Sequence, residues 1–268
     1  MPLLPLVSVK GTPGVTVSAI ALGAAWPAGR PPALVVECDP AGGDVAARFG
    51  LSLDPGLVSL AVALQREEDV SPALVRDLLR RHSQELRGGL RVVVAPSAPE
   101  EMRHPLERLA EDLPRADADV IADCGRLESL SARERTPTLR LIQRAGVCVV
   151  VVRPLLDELK HLQSWLPALT ALRVRITVLL THGGRYSAEE VSETLEVEVI
   201  GSLPRDPAGA AVLSGGGSAL GIGRLPLLRA ARQVASALTR QLVAGADGEA
   251  AARVAAELPA TRVAEASR

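Results

Sequence analysis

Aromatic residues make up only 1% of the 268-residue sequence, and lysine occurs just twice, at Lys10 and Lys160, among 30 basic side chains. A core must therefore be assembled from Leu, Val, Ile and Ala, and an apolar content of 47% is ample for one large α/β domain. No apolar run reaches the ~18–20 residues needed to cross a bilayer. The formal net charge of −1 provides no global field that would draw the chain to nucleic acid. There are three cysteines, Cys38, Cys124 and Cys148, with no CxxC spacing; each sits among apolar, strand-like residues, which predicts buried core thiols in a reducing cytoplasm. The first residues carry neither a basic n-region nor an A-x-A cleavage site, so no signal peptide is expected.

Short apolar runs alternate with amphipathic, helix-length segments. Strands are predicted at Leu4–Val9, Ala33–Glu37, Leu90–Ala95, Val120–Asp123, Val147–Val152, Arg175–Leu180 and Glu198–Ser202. They are rich in Val and Ile without strict alternation, as suits strands covered on both faces. Helices are predicted at Val17–Ala25, Pro72–Glu85, Glu101–Leu113, Leu156–Leu172 and Ala188–Leu195. A last helix, Pro226–Val243, carries Leu227, Leu228, Ala231, Val234, Leu238 and Leu242 on one face. This βαβ order implies a doubly wound, mostly parallel sheet flanked by helices. Residues 1–245 read as one domain, and the Ala/Glu/Arg-rich tail, 246–268, is expected to be flexible.

The segment Lys10-Gly11-Thr12-Pro13-Gly14-Val15-Thr16 follows the first strand and runs into a small-residue helix. Strand, glycine-rich loop and helix form the context of a phosphate-binding loop. Its glycines let backbone N–H groups turn toward phosphate oxygens, and the helix N-terminus adds partial positive charge. The usual lysine before the final Ser/Thr is absent: that slot is Val15, and the only cation in the loop is Lys10. In a chain that otherwise writes arginine for a cation, an ammonium here points to a specific role.

Two acid-bearing strand ends follow in order. Val36-Glu37-Cys38-Asp39-Pro40-Ala41-Gly42-Gly43-Asp44 places carboxylates at the carboxyl end of a strand, where doubly wound folds bind ligands. Asp44 reads either as the N-cap of a helix over Val45–Phe49 or as part of the chemistry. The stretch Asp119-Val120-Ile121-Ala122-Asp123-Cys124-Gly125 ends an apolar strand in a carboxylate and a glycine. Arg126, next along, is either a surface cation or one that faces phosphates. Further on lie Thr181-His182-Gly183-Gly184 and Ile200-Gly201-Ser202-Leu203-Pro204-Arg205-Asp206.

In this order the motifs resemble those of the ParA/MinD family of P-loop ATPases, whose deviant Walker A loop reads K-G-G-x-G-K-T; the resemblance covers about residues 3–245. It implies a P-loop NTPase fold that binds ATP with Mg²⁺ through Lys10, Gly11, Thr12, Pro13, Gly14, Val15, Thr16 and Val17. Lys10 matches the lysine that reaches across a nucleotide-bridged homodimer, and Val15 departs from the lysine that acts within its own subunit. Thr16 matches the Mg²⁺-ligating hydroxyl. Asp123 matches the Walker B acid and Asp39 the acid that orients the attacking water. Glu37 stands near the metal where an Asp is usual. Thr181, Pro204 and Asp206 match the base-pocket segments, though Thr181 lacks the amide that reads adenine in relatives, and His182 would stack there or simply face water.

With one lysine missing, the resemblance implies a slow ATP hydrolase or a chain that only binds nucleotide. The implied function is a dimeric switch that positions a cargo: chromosome or plasmid, division machinery, or a pilus or secretion complex. Val15 favours pilus and secretion relatives of the TadZ/CpaE type, several of which carry atypical loops. The alternative is a pseudo-ATPase scaffold acting through its dimer or partner surface. Nonspecific DNA binding would fall to Arg76, Arg80, Arg81, Arg87 and Arg91, a set diluted by Asp77 and Glu85. Glu249–Leu258 is a weak membrane-helix candidate, lacking aromatics and lysines. The expected location is cytoplasmic, with recruitment to a pole, membrane complex or nucleoid by partners.

Overall fold

A computed structural model describes residues 3–11, 13–86, 88–129, 136–216 and 222–257. Eight strands form one sheet: β1 (Leu3–Ser8), β2 (Leu34–Glu37), β3 (Gln84–Glu85), β4 (Arg91–Val93), β5 (Val120–Arg126), β6 (Val147–Val152), β7 (Arg175–Thr181) and β8 (Glu198–Leu203). Their spatial order is β3-β4-β2-β5-β1-β6-β7-β8. Every pairing is parallel except β3 with β4 at the edge. From β1 the chain fills one side of the sheet, closing with β5 between β2 and β1, and then builds outward on the other through β6, β7 and β8. The switch point of the sheet therefore falls at the carboxyl ends of β1 and its neighbours, where such folds form a crevice.

Alternate residues of each strand supply two cores. Leu4, Leu6, Val35, Ile121, Val149 and Val151 pack under α1 (Val15–Ala24), α2 (Val45–Phe49) and α10 (Pro226–Glu257). Val7, Val36, Ala122, Cys124, Cys148 and Val150 pack under α3 (Leu57–Gln65), α4 (Pro72–Arg81), α5 (Pro99–Asp112), α6 (Pro137–Gln143), α7 (Leu156–Thr170) and α8 (Ala188–Leu195). Burial on both faces explains why the strands do not alternate in polarity. A short α9 (Pro207–Val212) follows β8. The three cysteines are free thiols buried in this core, as expected.

Three expectations are corrected. The helix predicted over Pro72–Glu85 stops at Arg81, because Gln84 and Glu85 turn back to pair with Val92 and Arg91. The strand predicted to reach Ala95 ends at Val93, because the Ala95 N–H is taken by a Glu37 carboxylate oxygen at 2.9 Å. The last helix continues past Val243 to Glu257, through Ala- and Glu-rich sequence of high helix propensity. The Glu249–Leu258 candidate thus lies within α10 as far as Glu257, and Leu258 is outside the described residues. Leu227, Leu228, Ala231, Val234, Leu238 and Leu242 are all buried, as their spacing predicts. Among the described residues no helix is long and apolar enough to cross a membrane.

Candidate nucleotide site

The loop after β1 turns into α1 at Gly14, whose φ of +87° is open to glycine at little cost. No side chain caps α1, and its first turn holds no acidic residue, so the helix N-terminus is presented to an incoming anion. Thr12 lies outside the described residues. The loop is fastened from β7: Thr181 Oγ1 donates to the Pro13 carbonyl at 2.9 Å. His182, at φ +66°, lies so close that a Cβ on Gly14 would meet its Nε2 at 3.3 Å.

Val15 is buried, packed into the core beneath α1. Its side chain serves the core, and the cation in this loop is Lys10. Lys10 Nζ pairs with Asp157 on the first turn of α7 at 2.5 Å, and this contact holds the Asp157 carboxyl below its usual range.

The acids gather at the neighbouring strand ends. Glu37 and Asp123 stand opposite each other in the β2–β5 register. Asp123 is buried beside Thr16 on the first turn of α1, and its Oδ1 accepts from the Gly125 N–H at 3.3 Å. Burial pushes its carboxyl up to about 7, the charges of Glu37 and Asp39 push the same way, and the nearby Thr16 hydroxyl opposes them. Asp39 is half-buried and also raised, chiefly by burial, while its Oδ1 accepts from the Ala41 N–H at 2.8 Å. Gly125 makes room for it: a Cβ there would lie 1.8 Å from Asp39 Oδ2.

Such a cluster is short of positive charge, and its donors are hard oxygens, the set that suits Mg²⁺. Among the described residues no group of three or more His, Cys, Asp or Glu makes a self-contained metal site. Mg²⁺ held with a nucleotide takes one or two protein oxygens and is completed by phosphate and water. Thr16 and Asp123 fit this role. Glu37 is engaged differently: Oε1 accepts from the Asp44 and Val45 N–H groups at 2.7 and 2.9 Å, and Oε2 from Ala95. Glu37 therefore caps α2 and ties it to β4, with its carboxyl raised by burial against these bonds. Asp44 occupies the cap position without a capping hydrogen bond; its side chain pairs with Arg48 at 2.6 Å.

A cavity of about 240 Å³ opens beside α1, lined by Gly14, Val17, Thr181, His182, Pro204 and Arg205 among others. Thr181, Pro204 and Asp206 all line this cavity, and two of them hold backbone. Thr181 tethers Pro13, and Asp206 caps α9 through Gly209 N–H and also accepts from Leu227 N–H.

This architecture is found in solved structures. The chain has the fold of the MinD and ParA-family P-loop ATPases. It matches cell division ATPase MinD from Pyrococcus furiosus with a TM-score of 0.66 at 19% identity, over 89% of this chain and 98% of that one. It matches a ParA family ATPase from Chlorobium tepidum TLS at 0.67 and 18%, over 87% and 97%. A variant of McdA from Cyanothece in complex with ATP gives 0.62 and 16%, over 89% and 96%. No family profile matches the chain, and no curated protein matches it in sequence.

Within the MinD/ParA-type fold, one basic position and two acids escaped the sequence reading. Arg153 directly follows β6, and its side chain and backbone N–H are held by buried Glu158. Its place at the carboxyl end of a strand was the available signal. Asp157 had none, since its contact with Lys10 joins residues far apart in sequence. Arg126 is exposed at the end of β5. Of the arginines around α4, Arg76 pairs with Asp77 and Asp117, and Arg91 with Glu85, which spends their charge locally. Arg87 lies outside the described residues.

Proposed function

We propose that this chain binds ATP with Mg²⁺ and works as a nucleotide-dependent homodimeric switch that positions a cargo, hydrolysing ATP slowly or not at all. The observation that carries the reading is the Thr16 hydroxyl beside the buried Asp123 carboxyl, which faces Glu37 across the β2–β5 register, at the mouth of the uncapped α1. A hydroxyl and a buried carboxylate held together beside a phosphate loop are the parts an Mg²⁺–nucleotide site requires. Gly11, Thr12 and Gly14 would cradle phosphates with backbone N–H groups while Pro13, which has none, shapes the turn. Thr16 and Asp123 would hold Mg²⁺, and Asp39 would orient a water. Lys10, drawn away from Asp157, would reach the phosphates of a second subunit. The cavity beside Gly14, Val17 and Pro204 has room for a base. Bound Mg²⁺ would supply charge neutralisation at the phosphates.

The burial of Val15 supports the finer placement among deviant Walker A proteins with atypical loops, of the TadZ/CpaE kind, in which pilus or secretion complexes are the cargo. It equally favours a second reading, a pseudo-ATPase scaffold whose dimer or partner surface is the function. Against that stands a Thr16–Asp123–Asp39 constellation for which an abandoned pocket has no use.

Equilibrium binding of Mg²⁺–ATP to the purified chain, with mass by light scattering and Lys10→Ala alongside, separates the two. Micromolar binding with a nucleotide-dependent dimer that Lys10→Ala abolishes is expected. Absence of binding up to millimolar ATP, with unchanged mass, would leave the scaffold.

A further inference from the structure

We infer that Arg153 is the cation that meets the terminal phosphate within the subunit, in place of the lysine missing at Val15. The inference rests on the nucleotide-binding reading above. Arg153 directly follows β6, which lies beside β1 with Leu6 opposite Val149 and Val7 opposite Val150. Counting on along both chains, Arg153 and Lys10 each stand three residues past the Val7–Val150 pair, at the edge where the loop begins.

The turn that carries Arg153 is joined to the far wall of the site. The Arg185 N–H donates to the Pro154 carbonyl at 3.1 Å. Gly184 packs so tightly there that a Cβ would lie 2.3 Å from the same carbonyl oxygen. The β7 loop that makes these contacts also carries His182, whose ring abuts Gly14 at the start of α1. Arg153, Pro154, His182 and Gly14 thus follow one another around the rim of the phosphate loop.

Arg153 is oriented rather than loose. Glu158, with a side chain only 1% exposed, accepts from the Arg153 backbone N–H at 2.9 Å and from Nε at 2.5 Å, and pairs with Nη2 as well. A guanidinium has five N–H donors in a fixed fork. With one edge held by Glu158 and the side chain still 33% exposed, the other edge faces outward. Among the described residues Nη1 has no hydrogen-bond partner. The charge is felt at the loop, since Arg153 helps hold the His182 imidazole below its ordinary range. A buried carboxylate pinning a half-exposed arginine at the phosphate edge is a pre-oriented anion contact.

The test is equilibrium binding of Mg²⁺–ATP, Mg²⁺–ADP and AMP by calorimetry, comparing the native chain with Arg153→Ala and with the paired change Arg153→Gln, Glu158→Gln. The paired change leaves no buried charge and keeps the two side chains hydrogen-bonded, so it folds even where Arg153→Ala does not. Both variants are expected to lose ATP affinity about tenfold or more, as befits a charge-assisted bond, with a smaller loss for ADP and none for AMP. Arg153→Lys should recover part of the ATP affinity. A merely structural pair would weaken all three nucleotides alike. A folded paired variant that binds ATP as the native chain does, or that loses all three equally, overturns the inference while leaving the nucleotide reading intact. A native chain that binds none of the three overturns both.

Discussion

Lys10 Nζ lies 2.5 Å from Asp157 Oδ2, so the cation of the phosphate loop rests against the first turn of α7. The side chains are 36% and 61% exposed, and such surface pairs are weak and salt-sensitive. If Lys10 is to reach a second subunit, this contact must open. Asp157→Asn is therefore expected to lower the ATP concentration at which dimer appears, and added salt should narrow the gap to the native chain. Light scattering across an ATP titration checks this. An unchanged midpoint would mean that Lys10 does not leave Asp157 on dimerisation.

Glu37 accepts three backbone N–H groups with two oxygens, from Asp44, Val45 and Ala95. Glu37→Gln turns one acceptor into a donor facing N–H groups, and leaving buried donors unpaired costs about 1–3 kcal/mol each. Urea unfolding should show a lower midpoint with unchanged slope. Glu37→Asp, one methylene shorter, should fall between, because it cannot span α2 and β4 together. If either variant keeps native stability and instead loses Mg²⁺ dependence of nucleotide binding, Glu37 is a metal ligand after all.

The fold was legible where the physics is local. Val147–Val152 is an unbroken run of β-formers with both faces buried, and its strand ends where the sequence predicts. The helix Leu57–Gln65 was missed for an equally physical reason. Its outward positions, Val58 and Val62, are apolar and more than 40% exposed, so no polar face marks a helical period. The two-residue β3 carries too little pattern to be seen. At the site, strand-end acids and the loop could be read in order because each sits on one continuous segment. The engagement of Glu37 with α2, the Thr181 tether and the Arg153–Glu158 pair could not. The Thr181 tether joins segments that only the sheet order brings side by side, and the other two depend on how the turn after a strand folds back, which residue type alone does not specify.

Val15 is 6% exposed and packs with the residues under α1. Val15→Lys sets two effects against each other. Burial of a longer chain in a packed core costs about 1–3 kcal/mol, while a lysine stem can run along apolar surface and bring its ammonium to the loop. The N-terminal position on α1 favours the second effect for binding. The variant should unfold at a lower temperature yet bind Mg²⁺–ATP about tenfold tighter, as one added charge-assisted contact provides. Scanning calorimetry and an ATP isotherm on the same sample decide it. Lost affinity along with lost stability would mean the helix start cannot present a lysine in this backbone.

His182 is held below its ordinary pKa, first by burial and then by the charges of Arg153 and Arg205. A histidine whose folded pKa lies under the unfolded value of about 6.5 binds fewer protons folded than unfolded. Its contribution to stability is then fully present above pH ~6.5 and is lost as pH falls from there toward the folded pKa. His182 by itself therefore lowers the unfolding midpoint on acidification from about pH 7 to 5, while Asp123, raised to about 7 in the fold, raises it over the same range. The His182 part is read as the difference between the native chain and a His182 variant. His182→Asn, which tolerates the φ of +66° at this position, should flatten that part of the profile. Replacing Arg153 with Gln removes one of the depressing charges, so the imidazole resonances of His182 should titrate at higher pH in that variant. A native His182 that titrates at or above the unfolded value would break the link between Arg153 and the loop wall, because a cation near that ring can only disfavour its protonation.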